Sequence, residues 1–204
     1  MIALKKFALV GPAALLLAAG PAWSQKRLEV TGSYGFQFAG EIRTEAGTVR
    51  IPNGASFGVT VDLAVRPNAW IEISYSREDT AVELATAGGG STPLYDAAVE
   101  FYQVGGLYEK GGPASLFGLA AIGVFSLNPK VAGTATETWF AASLGMGVKV
   151  PLGRRLGVRI QGRLLVPFLA AGGVIIIAPP ASSAYISSTV LFWGDLSAGL
   201  TLRF

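Results

Sequence analysis

The chain ends in a strictly alternating segment, which reads WGDLSAGLTLRF from Trp193 to Phe204. Every second residue counted back from Phe204 is apolar or glycine, and the residues between them are mostly polar or small. A period of two predicts a β-strand with two different faces, because successive side chains of a strand point to opposite sides. Free chain ends are usually frayed and polar, so this terminus is expected to be part of the fold.

The same alternation recurs along the chain after residue 25, where no stretch shows a helical stripe. Regular segments lie at 28–38, 56–65, 70–76, 139–150 and 156–166. Segment 101–109 changes phase at Phe101 and Tyr102, which predicts a β-bulge, and segment 115–125 is apolar on both faces. With the terminal segment these are eight predicted strands of about ten residues, the length that crosses a bilayer when tilted.

The connections between these strands alternate in length. The short ones, 66–69, 109–115 and 151–155, are rich in proline, glycine or charge, and the long ones are 39–55, 77–95, 126–137 and 167–188. Bacterial outer-membrane barrels have short periplasmic turns and long extracellular loops. The last strand must then pair with the first, because an open sheet edge in hydrocarbon leaves backbone groups unsatisfied. The fold class predicted is an all-β, eight-stranded antiparallel transmembrane β-barrel with an up-and-down meander.

The amino terminus predicts export. Lys5 and Lys6 are followed by a short apolar run, and Ala22 and Ser24 are the small residues that a signal peptidase reads. This pattern predicts a secretory signal at 1–24 and a mature barrel domain at 25–204. An N-terminal anchor helix is the alternative, although the apolar run is shorter than the 20 or so residues that span a bilayer.

The composition limits the catalytic and metal-binding chemistry that the chain can perform. Charged residues make up 14% of the chain, against about 25% in soluble domains, and there is no histidine and no cysteine. This excludes Ser-His-Asp and Cys-His catalysis and His or Cys metal sites, so we predict no enzymatic activity, no metal and no cofactor. The net charge of +3 includes Lys5 and Lys6, and no basic block remains to suggest a nucleic-acid partner.

Two other folds share parts of this pattern. Turns repeat every 40 to 50 residues or so, as propeller blades do, but each interval holds two long strands rather than four short ones. A soluble lipocalin-like barrel would place the apolar face inside. The apolar face carries large side chains and the opposite face carries glycine, serine, threonine and some charges, which would fill a soluble core poorly.

With its export signal, its eight strands and its ending Leu200-Thr-Leu-Arg-Phe204, the chain resembles the small outer-membrane β-barrel superfamily of OmpA-, OmpX- and OmpW-type proteins. Segments 102–108 and 144–150 also resemble strands of that group. The resemblance implies location in the bacterial outer membrane and contact with its lipids. It further implies that the barrel-assembly machinery reads the last strand, with Phe204 as the assembly signal.

Charged residues on the polar faces of the strands predict a polar network in the lumen. The candidates are Asp62, Glu72, Arg159, Arg163, Asp195 and Arg203. The interior of an eight-stranded barrel is about wide enough for side chains to fill, and unpaired ions there are costly. We expect ion pairs that plug the lumen, with a selectivity constriction as the alternative. Glu100 would join them only if the phase change turns it inward.

Two sets of aromatic residues are predicted to anchor the barrel at the membrane interfaces. Trp70, Tyr108, Phe117 and Phe204 lie near the short turns, and Phe38, Phe57, Tyr75, Phe140 and Phe192 lie near the long loops.

The longest apolar run after the signal, 164–181, contains Val174, Ile175, Ile176 and Ile177 within the last long loop. Its prolines and paired glycines argue against a spanning helix. Either these residues pack against other loops, or they form an exposed apolar contact surface. The function expected is a non-enzymatic structural or surface-interaction role, and the OmpW-type resemblance adds transport of small apolar solutes as the alternative.

Overall fold

A computed structural model of the chain describes residues 27–44, 47–85, 91–112, 114–131, 133–169, 174–178, 182–185 and 189–204. The predicted signal peptide lies outside the described residues. The strands assigned are β1 (Leu28–Phe38), β2 (Glu41–Thr44), β3 (Gly47–Arg50), β4 (Gly54–Arg66), β5 (Ala69–Ala85), β6 (Ser91–Lys110), β7 (Ser115–Pro129), β8 (Glu137–Pro151), β9 (Leu156–Leu169), β10 (Val174–Ala178), β11 (Ser182–Tyr185), β12 (Thr189–Val190) and β13 (Trp193–Arg203). None of the described residues forms a helix long and apolar enough to span a membrane.

Eight of these strands close into one antiparallel ring. The order around the ring is β1, β4, β5, β6, β7, β8, β9 and β13, and β13 pairs again with β1. At this closure Glu29 lies opposite Arg203 and Phe38 lies opposite Gly194. The predicted eight-stranded meander is confirmed, and the terminal segment is the strand that closes it.

The outer wall of the ring is apolar and the inner wall is mostly polar at mid-height. On β8, for example, Phe140, Leu144 and Met146 are exposed on the outside, whereas Ser143 and Lys149 are buried on the inside. A soluble barrel would reverse this arrangement. The exposed apolar side chains of all eight strands therefore form the surface that lipid covers.

The short turns lie where the sequence predicts them, but the long connections contain more strand than predicted. β5 and β6 continue as a paired hairpin to Ala85 and Ser91, and β2 and β3 form a hairpin whose second strand pairs with β5. β10 and β11 form a separate hairpin. These extensions lack a regular two-residue alternation, and pairing with a neighbouring strand rather than local sequence makes them strands.

The predicted bulge at Phe101 and Tyr102 is wrong. The register between β6 and β7 is continuous from Ala97 to Lys110, and the irregularity of β6 lies opposite the step from Val82 to Glu83. The sequence changes phase because apolar side chains occupy the inner wall here, beginning with Phe101. Glu100 thus lies on the outer face.

Two apolar clusters fill the lumen above and below the polar middle. The cluster at the long-loop end includes Phe101, Phe125, Trp139, Leu165 and Trp193, and the one at the short-turn end consists of Ala64, Trp70, Leu107, Phe117 and Leu119. Trp70 and Phe117 are therefore buried inside the barrel, and their predicted place in an interfacial belt is wrong. The remaining belt residues lie on the outer wall, where most are well exposed.

Candidate functional site

The middle of the lumen holds a buried network of charged side chains. Asp62 on β4 and Glu72 on β5 are opposite each other in the β4–β5 ladder, and Arg159 and Arg163 project from β9. All four side chains are buried. In a ring of eight strands β5 is four places from β9 and β4 is three, so Glu72 faces the two arginines across the full diameter of the barrel and Asp62 faces them across most of it.

The ion pairs cross that diameter directly. Arg159 Nη1 lies 2.8 Å from Asp62 Oδ2, and Arg159 Nη2 lies 2.5 Å from Glu72 Oε2. Arg163 Nη2 lies 2.7 Å from Glu72 Oε1, and its Nη1 donates to the Ser74 hydroxyl at 3.1 Å. Arg159 Nε also donates to Gln161 Oε1 at 2.8 Å. The predicted residues Asp62, Glu72, Arg159 and Arg163 thus form one connected group.

Lys149 on β8 extends this group toward the short turns. Its side chain is 0% exposed, and its Nζ lies 2.7 Å from Glu29 Oε2 and 2.9 Å from Asp62 Oδ2. The ring of Trp70 lies beneath the ammonium, with 4.7 Å between Nζ and the ring centroid. Sequence reasoning missed Lys149 and Glu29, although both alternate in phase with inward-facing residues and that phase could have identified them.

Asp195 and Arg203 occupy separate positions. Asp195 is buried on β13 and accepts hydrogen bonds from neutral groups, namely Ser197 Oγ at 3.0 Å, Ser56 Oγ at 3.2 Å and Gln37 Nε2 at 3.4 Å. Arg203 lies at the short-turn end with its Nε 3.0 Å from Glu29 Oε1. Arg203 is therefore linked to the central group only through Glu29 and Lys149.

Glu78 on β5 is a second buried acid that sequence reasoning missed. It lies opposite Ser56 in the ladder and beside Gly54, where a β-carbon would collide with Glu78 Oε1. Neither carboxylate oxygen has a hydrogen-bond partner among the described residues. Glu78 marks the boundary between the polar middle and the aromatic cluster above it.

The aromatic cluster closes the lumen at the long-loop end. The ring of Phe125 lies 5.2 Å from that of Phe101, 5.5 Å from that of Trp139 and 5.6 Å from that of Trp193, measured between centroids. Such spacings are those of packed aromatic pairs. These rings come from β6, β7, β8 and β13, so they meet across the barrel rather than along one wall.

Glu100 belongs to a polar cluster on the outer wall. It accepts hydrogen bonds from Tyr75 Oη at 2.9 Å and Arg77 Nη1 at 3.1 Å. Above this level, hydrogen bonds from Arg77 and then Lys130 lower the pKa of the exposed Asp79 carboxyl. The cluster follows the aromatic band at the long-loop side, where the membrane surface is expected.

Phe204 and the apolar loop lie at opposite ends of the barrel. Phe204 is 73% exposed, and its backbone N–H donates to the Leu28 carbonyl at 2.9 Å. Val174–Ile177 lie on β10, and their side chains fall outside the described residues. Within the described residues no group of three or more acidic, histidine or cysteine side chains converges as a metal site would require.

A closed eight-stranded ring with an apolar outer wall and a charged interior defines a small outer-membrane β-barrel. No protein-family model matches the sequence, and no curated protein matches it. Solved structures do match. The outer-membrane protein OprG of Pseudomonas aeruginosa aligns with a TM-score of 0.64 at 10% identity over 87% of this chain and 95% of OprG.

Two further structures share the fold. Neisserial surface protein A aligns with a TM-score of 0.57 at 12% identity, over 88% of this chain and 97% of its own. A major outer-membrane protein of Thermus thermophilus aligns with a TM-score of 0.53 at 15% identity, over 88% of this chain and 99% of its own. The chain is similar to these proteins in fold, and it is a barrel of the bacterial outer-membrane type.

Proposed function

We propose that this protein is a non-enzymatic outer-membrane barrel with a closed lumen, which holds ordered β-structure at the cell surface for a structural or surface-interaction role. The observation that carries the proposal is the set of ion pairs across the barrel diameter. Arg159 and Glu72 come from opposite walls and meet within hydrogen-bonding distance, which leaves little room for a continuous water path. In this proposal the six predicted luminal residues, including Asp195 and Arg203, stabilise the barrel and do not bind a substrate.

The length of the strands supports the surface role. β5 spans Ala69–Ala85 and β6 spans Ser91–Lys110, whereas about ten residues cross the membrane. Val82 and Tyr95, near the far end of this hairpin, are buried in the same apolar cluster as Phe125. The barrel wall thus continues as packed structure beyond the bilayer. In this proposal the barrel contacts lipids and the assembly machinery through its outer wall and its last strand, and neither contact needs a ligand in the lumen.

An ion-leak assay tests the closed lumen. Because the aromatic cluster also closes the lumen, the test variant removes both barriers. It changes Asp62, Glu72, Arg159 and Arg163 to alanine, which removes two acids and two bases and keeps the formal charge, and it also carries Phe125→Ala and Trp193→Ala. Proteoliposomes of the unchanged protein should retain potassium, and those of the variant should leak. Leu144→Ala, on the lipid-facing wall, is the matched control and should retain potassium. The gel mobility of unheated samples reports whether each barrel is folded. Equal retention by the folded six-residue variant and the control would contradict the proposal.

Passage of small apolar compounds is the second candidate function. The observation that favours it is the apolar lining of the lumen at the long-loop end, where Phe101, Trp139 and Trp193 are buried. A small apolar solute would have to displace these packed rings to enter, but it would not have to cross the ion pairs below. The apolar loop residues Val174–Ile177 would then provide a first contact surface.

Binding of an apolar fluorescent probe to the folded barrel tests this second candidate. Ile175→Ser combined with Ile177→Thr should abolish probe binding and leave the gel mobility of the folded barrel unchanged. Unchanged probe binding in the double variant would reject the contact surface and favour a loop that packs against its neighbours.

A further inference from the structure

The short-turn end of the barrel opens into a wide cavity, here called the vestibule. Its volume is about 950 Å³. The residues that line it and carry the argument are Arg27, Trp70, Arg154, Arg155, Leu202 and Phe204. Short turns face the periplasm in outer-membrane barrels, so the vestibule opens to the periplasm and lies at the level of the inner leaflet.

The vestibule combines one buried donor that lacks an acceptor with several cationic side chains that lack a carboxylate partner among the described residues. Trp70 is only 3% exposed, and its indole Nε1 has no hydrogen-bond partner among the described residues. The guanidinium of Arg27 lies over the Trp70 ring, 5.4 Å from its centroid. Arg154 and Arg155, on the turn between β8 and β9, are exposed and have no ion-pair partner in the described part of the chain.

The acids near these cations are already engaged. Glu29 lies 2.7 Å from Lys149 Nζ and 3.0 Å from Arg203 Nε. The other acid of the vestibule, Glu109, lies 3.6 Å from the same Lys149 ammonium. Arg27 Nη2 donates to the Pro67 carbonyl at 3.4 Å, but among the described residues no carboxylate pairs with Arg27, Arg154 or Arg155.

We propose that the vestibule binds a phosphate-bearing anion. Guanidinium groups bind phosphate in a bidentate geometry, and a phosphate monoester carries about two negative charges at neutral pH, which suits several unpaired arginines better than a single carboxylate does. Arg154, Arg155 and Arg27 provide the charge, and the Trp70 ring, over which the Arg27 guanidinium lies, is close enough to report the binding. The inference does not depend on the function proposed above.

Two sources of phosphate fit the shape of the vestibule. A soluble phosphate compound can enter from the periplasm through the open mouth. Alternatively, the headgroup of an anionic phospholipid can reach in from the inner leaflet, because Leu202 and Phe204 line the vestibule and are also exposed on the lipid-facing wall. Both sources present anionic phosphate oxygens to the same arginines, with about two negative charges from a soluble monoester and about one from the phosphodiester of a lipid headgroup.

The indole N–H signals in a nitrogen–proton NMR spectrum of the folded barrel provide the test. Trp139 and Trp193 lie in the aromatic cluster at the other end of the lumen, so their signals are internal controls. Inorganic pyrophosphate, added to the barrel in zwitterionic micelles at constant ionic strength, should shift the Trp70 signal in a saturable way if the source is soluble. Nanodiscs of phosphatidylcholine with phosphatidylglycerol, compared with phosphatidylcholine alone, should shift it if the source is a lipid.

Two double variants that remove the same amount of positive charge distinguish a specific phosphate site from general electrostatic attraction. Arg154→Gln with Arg155→Gln should weaken the binding that moves the Trp70 signal by about tenfold or more, because charge-assisted hydrogen bonds are lost. Arg66→Gln with Lys110→Gln removes the same charge from exposed positions of other turns that do not line the vestibule, and should leave binding almost unchanged. A Trp70 signal that neither probe moves, or an equal loss of affinity in both double variants, would overturn the proposal.

Discussion

At the scale of single residues, Lys149 is a buried charge whose stability depends on its ion-pair partners. It is fully buried, and two carboxylates lie within 3 Å of its ammonium, at 2.7 Å and 2.9 Å. Removing one partner of a buried ion pair leaves an uncompensated charge, which is far more costly than the pair itself is stabilising.

We expect Lys149→Met to lower the free energy of unfolding by about 3–5 kcal/mol. Urea unfolding of the barrel in lipid vesicles, followed by tryptophan fluorescence, measures the change. Lys110→Met, on the exposed end of β6, is the control and should change stability by about 0.5 kcal/mol or less. Equal stabilities of the two variants would mean that Lys149 is not held by its carboxylates.

The two luminal arginines should differ in importance. Arg159 contacts both Asp62 and Glu72, whereas Arg163 contacts Glu72 and the neutral Ser74. Arg159→Ala removes one cation from each of two acids, although Asp62 keeps Lys149 and Glu72 keeps Arg163, and it should cost about 3 kcal/mol. Arg163→Ala removes one cation from Glu72 alone and should cost less. The same unfolding experiment ranks them, and a larger loss from Arg163→Ala would contradict the geometry.

At the scale of elements, β13 completes the ring. The backbone N–H of Phe204 bonds to the Leu28 carbonyl at 2.9 Å, which ties the last residue to the first strand. Deleting Phe204 removes that bond and the terminal aromatic ring. We expect a strong fall in the amount of folded protein in the outer membrane of cells, measured from heat-modifiable mobility on gels.

Phe192→Ala is the control for the terminal deletion. It removes another exposed aromatic ring from the outer wall, next to the other end of β13, but leaves the carboxyl-terminal residue intact, so it should insert nearly normally. Normal membrane levels of the protein without Phe204 would show that the terminal residue is not an assembly signal.

The strands themselves could be predicted from the sequence to different extents. β1 was predicted at its full bounds because one of its faces meets lipid and the other meets the polar lumen. β7 gave a weaker signal, because its inner residues Phe117, Leu119 and Phe125 belong to the apolar clusters of the lumen. Where both walls are apolar, periodicity cannot distinguish them. Trp70 is different, because its phase with Glu72 indicates the inner wall, and only its aromatic ring near a short turn suggests an interfacial belt.

At the scale of the whole molecule, the candidate site was predictable in its residue types but not in its pairing. The sequence of a strand indicates which wall of the barrel a side chain faces. It does not indicate the position of that side chain along the barrel axis or its partner across the lumen. Asp195 and Arg159 therefore looked equivalent, although only Arg159 reaches the opposite wall. Which residues meet depends on the stagger of eight strands, and that property belongs to the closed ring.

We propose that side chains close the lumen of this barrel. Single-channel recording of the unchanged protein in planar bilayers tests it most directly, because a continuous water path carries ion current. The ion pairs of Arg159 with Asp62 and Glu72, together with the aromatic cluster above them, predict no resolved conductance or only brief, small openings. A steady, large conductance from the folded protein would show that the lumen is open.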